Sequence, residues 1–575
     1  MTRLFNDPGA FAAEMLNGFA TAQQHRLRQV SGGVIRRGQT PPGRVAVVIG
    51  GGSGHYPAFG GLVGPGLAHG AAMGNLFASP SARQVHSVAA SADNGGGVLL
   101  CYGNYAGDVL HFGLAEQRLI GDGIGCRTVV VTDDVSSAEP SDVDRRRGVA
   151  GDLVVFKAAA AAAEEGYGLD EVARVAAHAN ARTRSFGVAF GGCTLPGADQ
   201  PLFTVGDGKM AVGMGIHGEP GIDEQEVPTA DGLAELFVQK VLAEVPEGVG
   251  QVAGSRVAVL LNGLGSVKYE ELFVVYRRVA ELLAEAGLVV VEPEVGELVT
   301  SFDMAGASLT LCWLDDELER FWRAPADSPA YRKLPAAEDG PESAQAALEL
   351  EEIPRASAES RAAAVRVLAA LETVKSTVDD NAAELGRIDA VAGDGDHGIG
   401  MQRGAEAAVL AAREAAAGGA GAGTLLGRAA DEWADQAGGT SGALWGAALR
   451  ALGAEFGDDS ALSAQSIAAG VRAAKDAVIR LGQAQLGDKT LVDALVPFAD
   501  ELERALAAGS SLTTASGLAA TAAQQAAEAT ASLRPQLGRA RPLAERSLGT
   551  PDPGAVSLAL IVRSVQAELS AGAGA

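Results

Sequence analysis

Apolar residues in the first half of the chain come in short runs that end at glycine or an acid. Residues 45–49, 97–101 and 127–131 are of this kind, and stretches of helical pattern separate them. That alternation predicts βαβ units around a mostly parallel sheet. A second set of runs, at 185–190, 256–261, 288–292 and 307–312, predicts a second α/β subdomain in the same half. Residues 324–358 are rich in Ala, Pro, Glu and Ser, can bury little, and read as a connector. Beyond them the texture changes. Ala-rich amphipathic stretches such as 361–371 and 461–481 dominate, with no convincing strand, which predicts an all-α helical bundle or barrel. The Ala-rich runs at 158–164 and 518–527 read as helix. The expected division is 1–323, an α/β half with two subdomains; 324–358, a connector; and 359–575, helical.

Composition narrows the class. A chain of 575 residues is long enough for two or three domains with real cores. A net charge of −26 argues against nucleic acid or an anionic membrane as partner, because both need basic patches. Cys101, Cys126, Cys193 and Cys312 are scattered without metal-ligand spacing, and read as buried thiols in a reducing compartment. No apolar run reaches membrane-spanning length, and the start Met-Thr-Arg-Leu-Phe-Asn-Asp lacks a signal-peptide core. A cytoplasmic enzyme is the expectation.

The densest chemistry lies in Asp389-Ala-Val-Ala-Gly-Asp394-Gly-Asp396-His397-Gly398, three carboxylates within eight residues. Such carboxylates repel one another, and a cation relieves the repulsion. Oxygen ligands, no Cys and one adjacent His suit Mg²⁺ rather than zinc, and Mg²⁺ held by few carboxylates keeps positions open for phosphate oxygens. The stretch reads as the metal half of a nucleotide site. A solvated acidic turn is the competing reading. An EF-hand does not fit, since position twelve from Asp389 is Gly400 where that loop needs Glu.

Further loops follow. Gly438-Gly439-Thr440-Ser441-Gly442 opens an apolar helical run, so its amides form either an anion site or an ordinary capped turn. Thr550-Pro551-Asp552-Pro553-Gly554-Ala555 also leads into an apolar helix, and Leu486-Gly-Asp-Lys-Thr490 precedes another. No Walker A loop is present; Gly206-Asp-Gly208-Lys209-Met lacks its spacing and its Ser/Thr. A nucleotide bound here sits on a helical scaffold.

The first half offers three constellations. Gly50-Gly-Gly-Ser53-Gly-His55-Tyr-Pro57 follows the run at 45–49, where ligands bind at the carboxyl ends of strands in open α/β sheets. Its glycines admit a polar ligand to the backbone, and His55 is titratable near neutral pH. A bare strand-to-helix turn is the alternative. Gly103-Asn104-Tyr105-Ala-Gly107-Asp108 follows the run at 97–101, with Asp108 either functional or a helix N-cap. Gly213-Met-Gly215-Ile-His217-Gly218-Glu219-Pro220-Gly221 sets a single His among glycines, with room at the ring for a substrate.

On these residues the chain resembles the single-chain, ATP-dependent dihydroxyacetone kinases. That family's Gly-Asp-x-Asp-His-Gly signature, with a further Asp five residues before its first Asp, matches Asp389, Asp394, Asp396 and His397. Its Gly-x-Gly-x-His-Gly-Glu-Pro-Gly loop matches 213–221, and the likeness covers nearly the whole chain. The resemblance implies a ketose-binding domain followed by a helical nucleotide-binding domain, and phosphorylation of a terminal hydroxyl of a short ketose. It implies ATP, and two Mg²⁺ ions on Asp389, Asp394 and Asp396. His217 would form a covalent hemiaminal with the ketose carbonyl; His55 and Asp108 would flank the reacting hydroxyl; Gly52, Ser53 and Gly54 would touch the substrate. His397, Gly398, Gly438, Gly439, Thr440, Ser441, Gly482, Leu491, Arg546, Asp552, Pro553 and Gly554 would surround the nucleotide. A homodimer is expected.

One position departs. Many family members carry Lys before Asn-Tyr-x-Gly-Asp, and this chain has Gly103. Loss of a long cation enlarges the pocket, which suits a four-carbon ketose such as erythrulose. Two alternatives stand beside the kinase. A non-catalytic ketose sensor would have no need of the carboxylate triad, and a phosphoenolpyruvate-linked kinase with resident ADP has its two domains on separate chains.

Overall fold

In the computed structural model, the apolar runs of the first half form strands of two sheets. The residues described are 4–335 except 39 and 220, and 353–572 except 539. The chain divides into two units, Met1–Ser343 and Ala344–Ala575. Of the expected connector, 336–352 lie outside the described residues.

The first sheet holds β1 (Leu27–Val30), β2 (Gly33–Arg36), β3 (Ala46–Ser53), β4 (Gly70–Leu76), β5 (Val98–Gly103) and β6 (Cys126–Val131), in the order β1-β2-β4-β3-β5-β6. β3 runs parallel to β4 and β5, and β5 parallel to β6, as the alternation predicts; β1 and β2 add an antiparallel edge. The run at 45–49 is unbroken because both faces of β3 are covered. Val47 and Ile49 enter one core, Ala46 and Val48 another.

The second sheet holds β7 (Thr183–Gly191), β8 (Lys209–Val212), β9 (Asp223–Glu226), β10 (Arg256–Gly263), β11 (Val289–Val290), β12 (Glu294–Gly296) and β13 (Ala305–Leu314). Its order is β11-β10-β13-β7-β8-β9, with β12 also on β10. Here the sequence pattern misleads. Only β11 and β12 pair in parallel, with β10; the other pairs are antiparallel. The run at 288–292 yields just Val289–Val290 as strand. β14 (Ala326–Asp327) and β15 (Arg332–Lys333) make a hairpin at the start of the expected connector, with Tyr331 5% exposed.

Helices α1 (Phe11–Ala22), α2 (Ala82–Ala92), α3 (Ala106–Gly121), α4 (Asp152–Glu165), α5 (Leu169–Ala181), α6 (Ala230–Leu242), α7 (Tyr269–Glu285) and α8 (Asp316–Arg323) accompany the sheets. Val257, Val259 and Leu261 of β10 pack against α6 and α7, while Ala258 and Leu260 join the core that holds Val47 and Ile49. α4 belongs to that shared core and is buried from Asp152 through Ala163. A helix apolar all round is one enclosed on every side.

The second unit consists of α9 (Ala358–Asp389), α10 (His397–Ala417), α11 (Ala422–Ala437), α12 (Gly439–Phe456), α13 (Ala464–Gly482), α14 (Val492–Ala507), α15 (Leu512–Ala529) and α16 (Pro553–Gly572), with no strand among the described residues. Each helix packs on the next, and α16 returns to α9, closing a ring. Small residues allow the close approach; a Cβ on Gly398 would stand 2.0 Å from the carbonyl oxygen of Ala382. Leu371, Val374, Trp445, Phe456, Leu495 and Leu558 line an apolar interior cavity. No helix among the described residues is long and apolar enough to cross a membrane. All four cysteines are free and buried, as their spacing predicts.

Candidate active site

β3 ends at Ser53, and Gly54 follows with φ +106°, a region that a side chain disfavours. The turn delivers His55 into the interior, 1% exposed. Its Nδ1 lies 2.8 Å from the carbonyl oxygen of Thr300, so Nδ1 carries the proton and Nε2 accepts. That Nε2 is 2.9 Å from Nε2 of His217, which therefore donates. His217 Nδ1 faces Glu219 Oε1 at 3.3 Å, and the backbone N–H of His217 donates to Glu219 Oε2 at 2.9 Å. Both ring nitrogens of His217 thus face hydrogen-bonding partners, Nε2 towards His55 and Nδ1 towards Glu219. Burial holds His55 down to about 3, and the charge of His217 adds to that. Burial works to raise Glu219, but the hydrogen bond and charge of His217 prevail and bring it to about 2. Tyr105 meets the His217 ring edge-on, 4.4 Å between centroids, and Phe77 does so at 5.5 Å.

The two histidines open on a narrow cleft that is partly open to solvent. Gly52, Gly103, Asp108 and Asp152 share its walls. Asp108 is not an N-cap. It lies in the first turn of α3, where Tyr105 holds the cap position, and is 7% exposed. Burial raises Asp108 to about 6, against a hydrogen bond from Ser79 and the charge of His217. Gly103 ends β5, and a Cβ there would stand 3.2 Å from Tyr105 Cε2 and 3.3 Å from the Gly148 carbonyl oxygen. Ser53 and Gly54 are not among the cleft's walls. The Ser53 hydroxyl donates to the Gly74 carbonyl at 2.6 Å, and the Gly54 carbonyl accepts from Phe302 N–H at 2.7 Å.

In the second unit Asp389 is the last residue of α9, and its Oδ2 accepts from Gly395 N–H at 2.8 Å. Asp389, Asp394 and Asp396 offer oxygens within 4.8 Å of one another, the first half-buried and the other two exposed. An oxygen-only set open to solvent on one side fits a hard divalent cation with positions left for other ligands. His397 opens α10; its Nε2 is 3.0 Å from Ser557 Oγ, and a backbone hydrogen bond joins it to Pro553. The carboxylate loop is thereby tied to the start of α16.

Most of the other expected nucleotide residues lie at the ends of neighbouring helices. Gly400, in the first turn of α10, faces the carbonyl of Ala437 at the end of α11. Gly438 and Gly439 come next, with φ +60° and +58° and open space where side chains would be. They start α12 with no side-chain cap, leaving its first amides free for an anion; Thr440 is exposed and Ser441 half-buried. Gly482, at the end of α13, faces Leu444 of α12, and Gly554 lies against Leu491 and Asp552. Asp552 Oδ1 accepts from Ala555 N–H at 2.8 Å. Its carboxyl is enclosed though the residue is half-buried, and burial lifts it to about 7, with Asp493 adding to the rise and Ala555 and Lys489 opposing it. Arg546 is exposed in the loop before α16.

Thr300, Ser79 and Asp152 escape a sequence reading altogether. Thr300 meets His55 across 245 positions. Glu219 stands in the His217 loop, and its spacing of two residues from His217 is the one signal that could have marked it.

A Dak1 domain matches residues 17–330, and a DAK2 domain matches residues 391–567. The L-erythrulose kinase of Pectobacterium atrosepticum is 62% identical over 571 residues, 99% of this chain and 97% of that protein. The D-erythrulose kinase of Mycolicibacterium smegmatis is 56% identical over 574 residues, 98% of each chain. The crystal structure of the dihydroxyacetone kinase from C. freundii in complex with AMP-PNP and Mg²⁺ is 30% identical, with a TM-score of 0.58 over 98% of this chain and 99% of that one.

Proposed function

The chain belongs to the single-chain dihydroxyacetone kinase family, and from that membership we propose that it transfers the γ-phosphoryl group of ATP to a terminal hydroxyl of a four-carbon ketose of the erythrulose type, with dihydroxyacetone as the smaller alternative. It is an ATP-dependent ketose kinase. Residues 1–323 bind the ketose, 359–575 bind the nucleotide, and 324–358 join them.

The observation that carries this reading is the facing pair of imidazoles, His217 Nε2 to His55 Nε2 at 2.9 Å, in a glycine-walled cleft that also holds Asp108. His217 gives up its Nε2 proton and takes C2 of the ketose in its place. The proton reaches the C2 oxygen by way of His55 Nε2, and Glu219 holds the far side of the ring. Nothing has to be drawn from solvent. The covalent bond turns a small, flexible ketone into an oriented one, and orientation supplies much of the rate in phosphoryl transfer. It also excludes glycerol, which has no carbonyl. Asp108 accepts the proton of the hydroxyl that attacks phosphorus, and ADP departs.

Asp389, Asp394 and Asp396 would hold Mg²⁺, two ions in this reading, and the metal neutralises charge on the phosphoryl group when bound. The open amides at Gly438, Gly439, Thr440 and Ser441 receive phosphate oxygens. Gly398, Gly482, Leu491, Arg546 and the 552–554 turn close on the rest of the nucleotide.

Release of ADP, followed with dihydroxyacetone, glyceraldehyde, glycerol and both erythrulose enantiomers, tests the reading. Faster release with an erythrulose than with dihydroxyacetone is expected. Release with none of the ketoses, or with glycerol, would overturn it.

A further inference from the structure

Asp152 lines the cleft beside Gly103, yet the reaction above gives it nothing to do. It is the first residue of α4, 1% exposed, and its Oδ1 is buried with no hydrogen-bond partner among the described residues. A buried polar atom left unpaired is costly, so such a group calls for an explanation. Helix capping is not the explanation. Asp133 already accepts from Val149 N–H and Gly151 N–H at 2.8 Å each, which serves the open end of α4. An ion pair is not the explanation either. The charges that bear on Asp152 belong to Asp133 and Asp108, both acids, and together with burial, the larger cause, they push it well above the usual carboxylate range. A neutral carboxylic acid has one proton to donate and oxygens to accept, which matches an uncharged sugar hydroxyl.

Two glycines pack closely beside that carboxyl. A Cβ on Gly148 would stand 3.1 Å from Asp152 Oδ1 and 2.5 Å from the Cα of Gly103. Gly103 itself carries no side chain into the cleft.

Resting on the kinase reading above, we propose that Asp152 hydrogen-bonds the hydroxyl at the far end of the ketose arm that is not phosphorylated, and so favours a four-carbon over a three-carbon ketose. Asp108 meets the reacting hydroxyl, and Asp152 recognises the other end of the molecule.

The test uses the full chain with Asp152→Ala, Asp152→Val and Asp152→Asn, each checked by thermal melting. Initial rates of ADP release are read with erythrulose and with dihydroxyacetone. Loss of one hydrogen bond to a buried partner should lower kcat/KM for erythrulose on the order of 10- to 100-fold in Asp152→Ala, mostly through KM. Dihydroxyacetone should fall less, by at most about fivefold. Asp152→Asn, which keeps a donor and an acceptor, should recover most of the erythrulose loss. Asp152→Val decides if the alanine variant does not fold, because it removes the unpaired carboxyl while keeping nearly its volume. Equal losses for the two ketoses, or no loss for either, would overturn the role given to Asp152. A wild type that phosphorylates neither ketose would overturn the kinase reading instead.

Discussion

Asp108 must be a carboxylate to accept the hydroxyl proton, so its ionisation sets the acidic side of the rate profile. Burial lifts it to about 6. Below that value kcat/KM for the ketose should fall tenfold for each unit of pH, as expected of a base being protonated. Ser79→Ala moves this limb in a direction the structure fixes. The Ser79 hydrogen bond lowers the Asp108 pKa, which means it favours the anion. Removing it raises the pKa further. A hydrogen bond to a charged group contributes about 1.5–3 kcal/mol, and about 1.4 kcal/mol corresponds to one pKa unit, so a rise of about one to two units follows. The variant should therefore lose activity near neutral pH and recover it in alkali. His217 and His111, which also lower Asp108, are left in place. The assay is kcat/KM from ADP release across the pH range, with ATP and Mg²⁺ saturating and the ketose limiting. A rate reduced by one factor at every pH would mean that Ser79 serves the fold. A limb that stays at the wild-type value would mean that Asp108 is not the base.

Three further outcomes are expected. His217→Ala should abolish turnover, and crystals soaked with ketose should show continuous density from His217 Nε2 to C2; an unattached ketose would end the covalent role. Asp394→Ala and Asp396→Ala should abolish turnover while calorimetry still detects ketose binding, and loss of that binding would break the division between the units. Gly103→Lys should lower kcat/KM for erythrulose more than for dihydroxyacetone, by roughly 10- to 200-fold in the ratio, which is the range for a methylene-sized change in a pocket. An unchanged ratio would show that Gly103 does not face the ketose.

The parts of the site that are legible in the sequence are those held by neighbours in the chain. Asp389, Asp394 and Asp396 need only one sharp turn to meet, and glycines announce that turn. The glycines around His55 and His217 likewise show open backbone, though not that the two rings meet across 162 positions. Partners such as Thr300 for His55 leave no local trace, because hydrophobic period reports burial and not the identity of the neighbour. The same limit hides strand direction. β10 and β13 sit between two cores, so each reads as a continuous apolar run, the signature of a buried parallel strand. They are antiparallel to each other, and the run is blind to that.

The net charge of −26 shows where a composition argument stops. It counts against a long polyanion, whose binding needs a broad basic surface. ATP is a polyanion too, and the proposed site meets it without such a surface. Because the helices form a closed ring of neighbours, α10, α12, α14 and α16 all start at the rim where α9, α11 and α13 end. Each start carries the positive end of a helix dipole, equivalent to roughly half an elementary charge. The three carboxylates at that rim would repel phosphate if they stood alone, and a divalent cation held by them would reverse that effect. Charges elsewhere on the protein matter little, since screening limits their reach to about 8–10 Å in physiological salt. An acidic chain can therefore bind a nucleotide wherever its helix starts converge. The sequence shows the loops that precede those helices, and only the closed ring reveals that they begin in one place.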